Sequence, residues 1–477
     1  MAIRDYANYD ALGLAELVAN RDVSAGELVE EAISRAERIN PKINAIAYKA
    51  YDAARASVER GLPKGPFTGV PFFLKDIFAF ATDMPTRQGT AFMPPIPWGQ
   101  DSNLTARFRQ AGLAILGKTN VPEFGLVPTT ESRLYGTARN PFNPEHSTGG
   151  SSGGSAALVA ASVVPMAHAN DGGGSIRIPA SCCGLVGLKP TRGRVSYGPD
   201  FGDVVDGLAI DLVVSRSVRD SAAALDAIAG NVQGDPYWAP PAPASWRNEA
   251  ETPPKQLRIA FSTKTLDGKP VHADCAAAVQ KAAKLCESLG HTIEEASPSI
   301  DLSSLFPPFI AVWAANLAAP IDMIAQLTGQ TPSRQLFEGL TWGIYEMGTK
   351  VTSSEYLRAK GMMAQAARNA ARFHETYDMW LTPTLAAPPV KLGTIDMEET
   401  DAMKVFASLT DYVPFTPIQN ATGQPAINVP LSWNADNLPV GVQFVGRFGD
   451  EANLLKLAAQ LEKAAPWAGQ YAKTRVN

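Results

Sequence analysis

The 477-residue sequence is 45% hydrophobic and 19% charged, an ordinary globular composition that can bury a large core. Its 42 Lys and Arg against 47 Asp and Glu give a net charge of −5, with no run of basic residues. Bulk nucleic-acid binding is thereby excluded, and a small-molecule ligand is favoured. The N-terminal MAIRDYANYDALG lacks an apolar core, so no secretory signal is expected. No window holds about 20 uninterrupted apolar residues, so no membrane span and no membrane partner are expected. Four cysteines, two of them adjacent as Cys182 and Cys183, suit neither a disulfide framework nor a metal knuckle. They read as small buried hydrophobes in a reducing cytoplasm.

In chain order, residues 10–60 read as helices, with Ser24 and Glu27 spelling a capping box before the second. FTGVPFFLKDIFAF is a short β-rich segment that carries Lys75. LTARFRQAGLAILGKTN predicts a helix, a stop at Gly112 and a buried strand over 113–116. SAALVAASVVPMAHAND predicts a helix from Ser155 and a strand into 167–170. Residues 231–257, rich in proline, read as a surface linker, and 270–375 as mostly helical. Strands return in YDMWLTPTL, PAINVPLSW and PVGVQFVGR, before a last helix. The alternation predicts an α/β fold. It is expected as one domain, 1–477, with a core over 65–230 and 376–477 and a helical cap or insertion over 270–375.

Two glycine-rich matches lead nowhere. Gly112 to Thr119 spells GxxxxGKT, but its variable positions are the apolar strand residues Leu-Ala-Ile-Leu, and Pro122 suits no helix starting at Lys118. Gly149-Gly-Ser151-Ser-Gly153 spells GxSxG, yet a polar stretch with two prolines precedes it where an apolar strand is required. None of the five histidines stands in a suitable loop to act as base, and His146 and His168 read as structural. A second loop, Asp171-Gly-Gly-Gly-Ser175-Ile-Arg177, fits nucleophilic chemistry better. The backbone N–H groups of Gly172, Gly173 and Gly174 can form an oxyanion hole beside the Ser175 hydroxyl. A lysine becomes the candidate base if burial keeps it neutral. Lys75, between apolar flanks, suits that role; pairing with Asp76 at the surface fits the residues equally well.

The blocks GGSSGGSAALVA and NDGGGSIRIPASCCGLVGLKPTRGRVS resemble the amidase signature family, as do GVPFFLKD, LGKTNVPEFG, TPIQNATGQPAINVP and LPVGVQFVGR. The resemblance spans nearly the whole chain. It implies a large mixed, twisted β-sheet with helices on both faces, no cofactor and no metal. It implies a Ser–cis-Ser–Lys triad with Lys75 as base, Ser151 as relay after a cis peptide, and Ser175 as nucleophile. Gly125 and Leu126 then line the acyl pocket, and Thr148 and Gly149 touch substrate. Ser152 is either hydrogen-bonded near Lys75 or a helix-entry serine, Asp171 and Arg177 brace the nucleophile loop, and Trp313 and Trp342 either shape the pocket or pack in the core. The implied reaction cleaves the C–N bond of secondary or aryl amides, cyclic or linear oligoamides, or carbamates. GDVVDGLAIDLVVSRSVRDSAAALD resembles the branch that acts on cyclic ω-amino-acid dimers. The alternative within the family is an amidase subunit that releases ammonia from glutamine for a tRNA-dependent amidotransferase. The resemblance leaves a homodimer open.

Overall fold

The computed structural model describes Ile3 and residues 5–476. The second helix, Ala25–Ile43, begins at the capping box: Ser24 Oγ accepts the Glu27 N–H at 3.2 Å, and the Glu27 carboxylate accepts the Ser24 N–H at 2.8 Å. A small sheet combines β1 (Ile46–Lys49), β2 (Pro71–Lys75) and β3 (Ala114–Thr119), with β3 in the middle. Every residue of β2 and β3 is buried. The GKT segment belongs to β3, where a Cβ on Gly117 would lie 2.0 Å from the Tyr48 carbonyl oxygen. That glycine permits strand packing, and Lys118 bonds Ala79 O and Thr86 Oγ1 within the protein. A two-residue hairpin, β4 (Glu131–Ser132) with β5 (Gly136–Thr137), follows.

The central sheet has eight strands. They are β6 (Met166–Asp171), β7 (Val186–Lys189), β8 (Ile210–Ser215), β9 (Arg258–Phe261), β10 (Thr292–Glu295), β11 (Met379–Pro383), β12 (Ala426–Trp433) and β13 (Pro439–Val445). Their order is β10-β9-β11-β13-β12-β7-β8-β6. The β9 pairings to β10 and β11 are parallel and the other pairings antiparallel. β6, β7, β8, β11 and β13 are buried throughout, as strands covered on both faces must be. β8, β11 and β13 are mostly apolar in sequence, whereas β6 buries His168, Asn170 and Asp171 among its residues. The fold is the expected mixed α/β architecture.

The stretch 270–375 is less uniform than its composition suggests, because β10 lies within it and joins the central sheet. In the proline-rich stretch 231–257, a short helix, Trp246–Ala250, buries Trp246 in the main core. The helix Leu302–Thr328 departs from expectation. By length and composition it is apolar enough to cross a membrane, although half of its most apolar window is buried within the protein. Scattered Ser, Asn and Gln interrupt the apolar run, so a search for unbroken stretches misses a helix whose average hydropathy is high. All four cysteines are free and buried.

Candidate active site

The base position is built on β2. Its apolar residues 70–74 bury the end of the strand, so Lys75 enters the interior with no exposed surface. The lysine does not pair with Asp76. Asp76 instead accepts the Tyr135 hydroxyl at 2.7 Å and the Arg87 N–H at 3.0 Å. Lys75 Nζ lies 2.7 Å from Ser151 Oγ and also bonds the Asn170 side-chain carbonyl. Burial pushes the Lys75 amine down to about 7, against the opposing charges of Asp211 and Asp171. A lysine so placed is substantially neutral at physiological pH and can accept a proton.

Ser151 is held by the segment 147–155. The Gly150–Ser151 peptide bond is cis. A Cβ on Gly150 would lie 2.3–2.6 Å from the Thr129 backbone, so only glycine fits there. Thr130 Oγ1 ties the segment on both sides, donating to Gly149 O at 3.0 Å and accepting the Gly153 N–H at 3.2 Å. The fully buried helix Gly153–Ala160 follows directly. Ser152 donates to Asn170 O at 3.2 Å, which places it beside the lysine.

The nucleophile loop leaves the end of β6. Asp171 organises it by accepting the N–H groups of Gly174 at 2.8 Å and Ile176 at 3.2 Å. Gly174 therefore departs from the expected oxyanion set, since the carboxylate of the same turn takes its N–H. Gly172, Gly173 and Ser175 do not bond Asp171 and remain the donors of interest. Burial alone would raise the Asp171 carboxyl, but the Arg177 guanidinium holds it down at about 2. Arg177 donates to Asp171 at 2.9 Å and reaches Gln419, Gln443, Asn420 and the Thr416 carbonyl at 2.7–2.8 Å. It thus braces the loop against the C-terminal part of the chain. Arg177→Met is expected to destabilise by about 3–5 kcal/mol, because it strands a buried carboxylate. Chemical denaturation should show a lowered midpoint with an unchanged slope.

Two cavities meet at Ser175. The larger, about 330 Å³, is lined by Ser151, Asn170 and Gly172 and by apolar side chains that include Phe78, Phe124 and Met323. The smaller, about 80 Å³, is lined by Gly173, Ile178, Phe309 and Val413 among others. Gly125, Leu126 and Trp313 line both. Among the described residues, no ionisable side chain lines either cavity. Ser175 Oγ has no hydrogen-bond partner among the described residues, so the direct Ser151–Ser175 contact implied by the resemblance is not made. Both hydroxyls border the larger cavity, and catalytic hydrogen bonds commonly tighten only with substrate bound.

Three expectations find other roles. Thr148 is fully buried, with its hydroxyl on the Gly149 carbonyl at 3.0 Å. A Cβ on Gly149 would meet Pro179 and Cys182 of the helix Arg177–Cys182, so Gly149 packs against that helix, and neither Thr148 nor Gly149 lines a cavity. Trp342 lines neither cavity and instead stacks on Phe337, in the core cluster that backs the cavity-lining Met93, Leu126 and Leu317. Asn170 is the site residue that sequence reasoning passed over. Its signal is the alternation His168-x-Asn170, two polar side chains on one face of an otherwise apolar strand.

The model of the amidase family matches residues 27–455. The chain belongs to the amidase signature family. It is a hydrolase acting on C–N bonds of amides. It is 36% identical over 474 residues to the 6-aminohexanoate-cyclic-dimer hydrolase of Paenarthrobacter ureafaciens, covering 97% of this chain and 96% of that protein. A solved structure of 6-aminohexanoate cyclic dimer hydrolase with substrate superposes with a TM-score of 0.92 at 36% identity, covering 97% of this chain and 98% of that one. A bacterial aryl acylamidase of the same family superposes with a TM-score of 0.87 at 26% identity, covering 98% of both chains.

Proposed function

We propose that this amidase hydrolyses uncharged, apolar secondary amides through an acyl-enzyme on Ser175. Neutral Lys75 takes a proton from Ser151, and Ser151 takes one from Ser175 as its Oγ attacks the carbonyl carbon. The N–H groups of Gly172, Gly173 and Ser175 receive the developing oxyanion. The proton returns through Ser151 to the amide nitrogen, the C–N bond breaks and the amine leaves. Water then attacks the Ser175 ester by the same relay, releasing the carboxylic acid. A carbamate follows the same course: the C–N bond breaks, the amine departs to leave a carbonate ester on Ser175, and water releases a carbonic acid monoester that loses CO2 to give the alcohol.

The observation that carries this reading is the 2.7 Å Lys75–Ser151 contact at the edge of a cavity with no ionisable lining. An apolar wall favours a substrate without charge on either side of the carbonyl, since an unpaired buried charge is costly. The cyclic dimer named for the relatives has neither free amine nor free carboxylate and suits this lining. Glutamine, the substrate of the alternative reading, would bring an ammonium and a carboxylate with no partner for either. A panel of anilides, cyclic and linear 6-aminohexanoate oligomers, aryl carbamates and glutamine tests this. Neutral apolar members are expected to have kcat/KM at least about 100-fold above glutamine. Glutamine hydrolysis at equal or higher kcat/KM would reverse the assignment.

A further inference from the structure

His168 and Asp211 lie behind Lys75, outside the reaction just described. His168, on β6, accepts the Lys75 backbone N–H on Nδ1 at 3.0 Å. A backbone N–H can only donate, so Nδ1 carries no proton. The imidazole is therefore the neutral Nε2–H tautomer, and Nε2 donates to Asp211 Oδ1 at 2.8 Å. Burial lowers the His168 pKa, which agrees with a neutral ring. Both side chains are completely buried, and the Tyr197 hydroxyl faces the Asp211 carboxylate.

The strand register explains the arrangement. His168 and Asn170 are two residues apart on β6, and Asp211 on β8 is the cross-strand partner of Asn170. The three side chains share one face of the sheet. One strand thus grips Lys75 twice, with His168 on its backbone and Asn170 on its amine. We propose that His168 and Asp211 are positioning residues for Lys75: the neutral imidazole clamps the lysine backbone, and the buried carboxylate sets the pH at which the amine gives up its proton. The inference rests on Lys75 being the base. The other charged or titratable groups near this cluster are Asp171 at the end of β6, Lys118 on β3 and the Tyr197 hydroxyl, which faces Asp211.

Asp211→Asn removes the charge and keeps an oxygen to accept from Nε2. The acid limb of the kcat/KM–pH profile is then expected to move about one unit to lower pH, because the lysine loses a stabilising negative charge. His168→Gln, which retains an acceptor for the Lys75 N–H, is expected to keep at least about tenfold more kcat than His168→Ala. A limb that stays in place in Asp211→Asn overturns the proposal. A wild-type profile with no limb near 7 sinks the base assignment itself, so the two failures are distinguishable. Should the variants not fold, ¹⁵N NMR of the wild-type histidines decides. Neutral Nε2–H His168 across pH 6–9 supports the clamp, and a protonated Nδ1 overturns it.

Discussion

Ser175→Ala lowers kcat/KM on any amide or carbamate substrate by roughly 10⁴-fold or more, with an unchanged fold. The magnitude follows from the proposed role of Ser175 as nucleophile, since removing such a group leaves only the smaller acceleration from binding and the proposed oxyanion donors. The fold is expected to persist because the Ser175 hydroxyl makes no hydrogen bond among the described residues, so its removal strands none of them. Steady-state kinetics with thermal unfolding on the same preparation separates the two effects. Residual activity within tenfold of wild type would place the nucleophile elsewhere.

Lys75→Met has the second largest expected effect, a loss of about 10³-fold or more. Methionine keeps the length and apolar stem of the lysine and removes the amine that bonds Ser151 and Asn170. The sign of the pH dependence follows from the depressed pKa. The folded amine titrates near 7, far below an unperturbed lysine, so the neutral base accumulates as pH rises through 7. Wild-type kcat/KM is expected to climb about tenfold per unit below that point and to level off above it. The same shift makes the unfolded chain bind the extra proton between pH 7 and about 10, so the lysine's burial costs stability in that window and costs most below it. Lys75→Met is therefore expected to unfold no earlier than wild type at pH 6, as differential scanning calorimetry can show. Activity lost together with a collapsed unfolding midpoint would make Lys75 a structural residue.

The chemistry was legible where it is local. The Asp171 to Ser175 glycine run announces a loop whose N–H groups can face an anion, whereas the apolar flanks of Lys75 fit a buried amine and a surface pair with Asp76 equally well, and only the structure decides between them. The interior strands β8 and β13 stand out as short, mostly apolar runs because both faces are buried. What escaped depends on long-range pairing. Asn170 and His168 act on Lys75 only because β6 packs against β2, residues about 95 apart in sequence. Asp211 joins them through the β6–β8 register. Thr148 and Gly149 sit close to Ser151 in sequence, yet Gly149 packs against the helix Arg177–Cys182 and neither residue lines a cavity. The loss of Gly174 from the oxyanion set has a local cause, the Asp171 carboxylate folding back on its own turn.

The central claim is that acyl transfer passes through Ser175. Treatment with an activated aryl carbamate or sulfonyl fluoride, followed by proteolysis and peptide mass spectrometry, locates the modified oxygen. The account predicts one covalent adduct per chain, on Ser175, forming faster as pH rises through 7 and absent from Ser175→Ala. An adduct on Ser151 in the wild-type protein, with Ser175 unmodified, would contradict it.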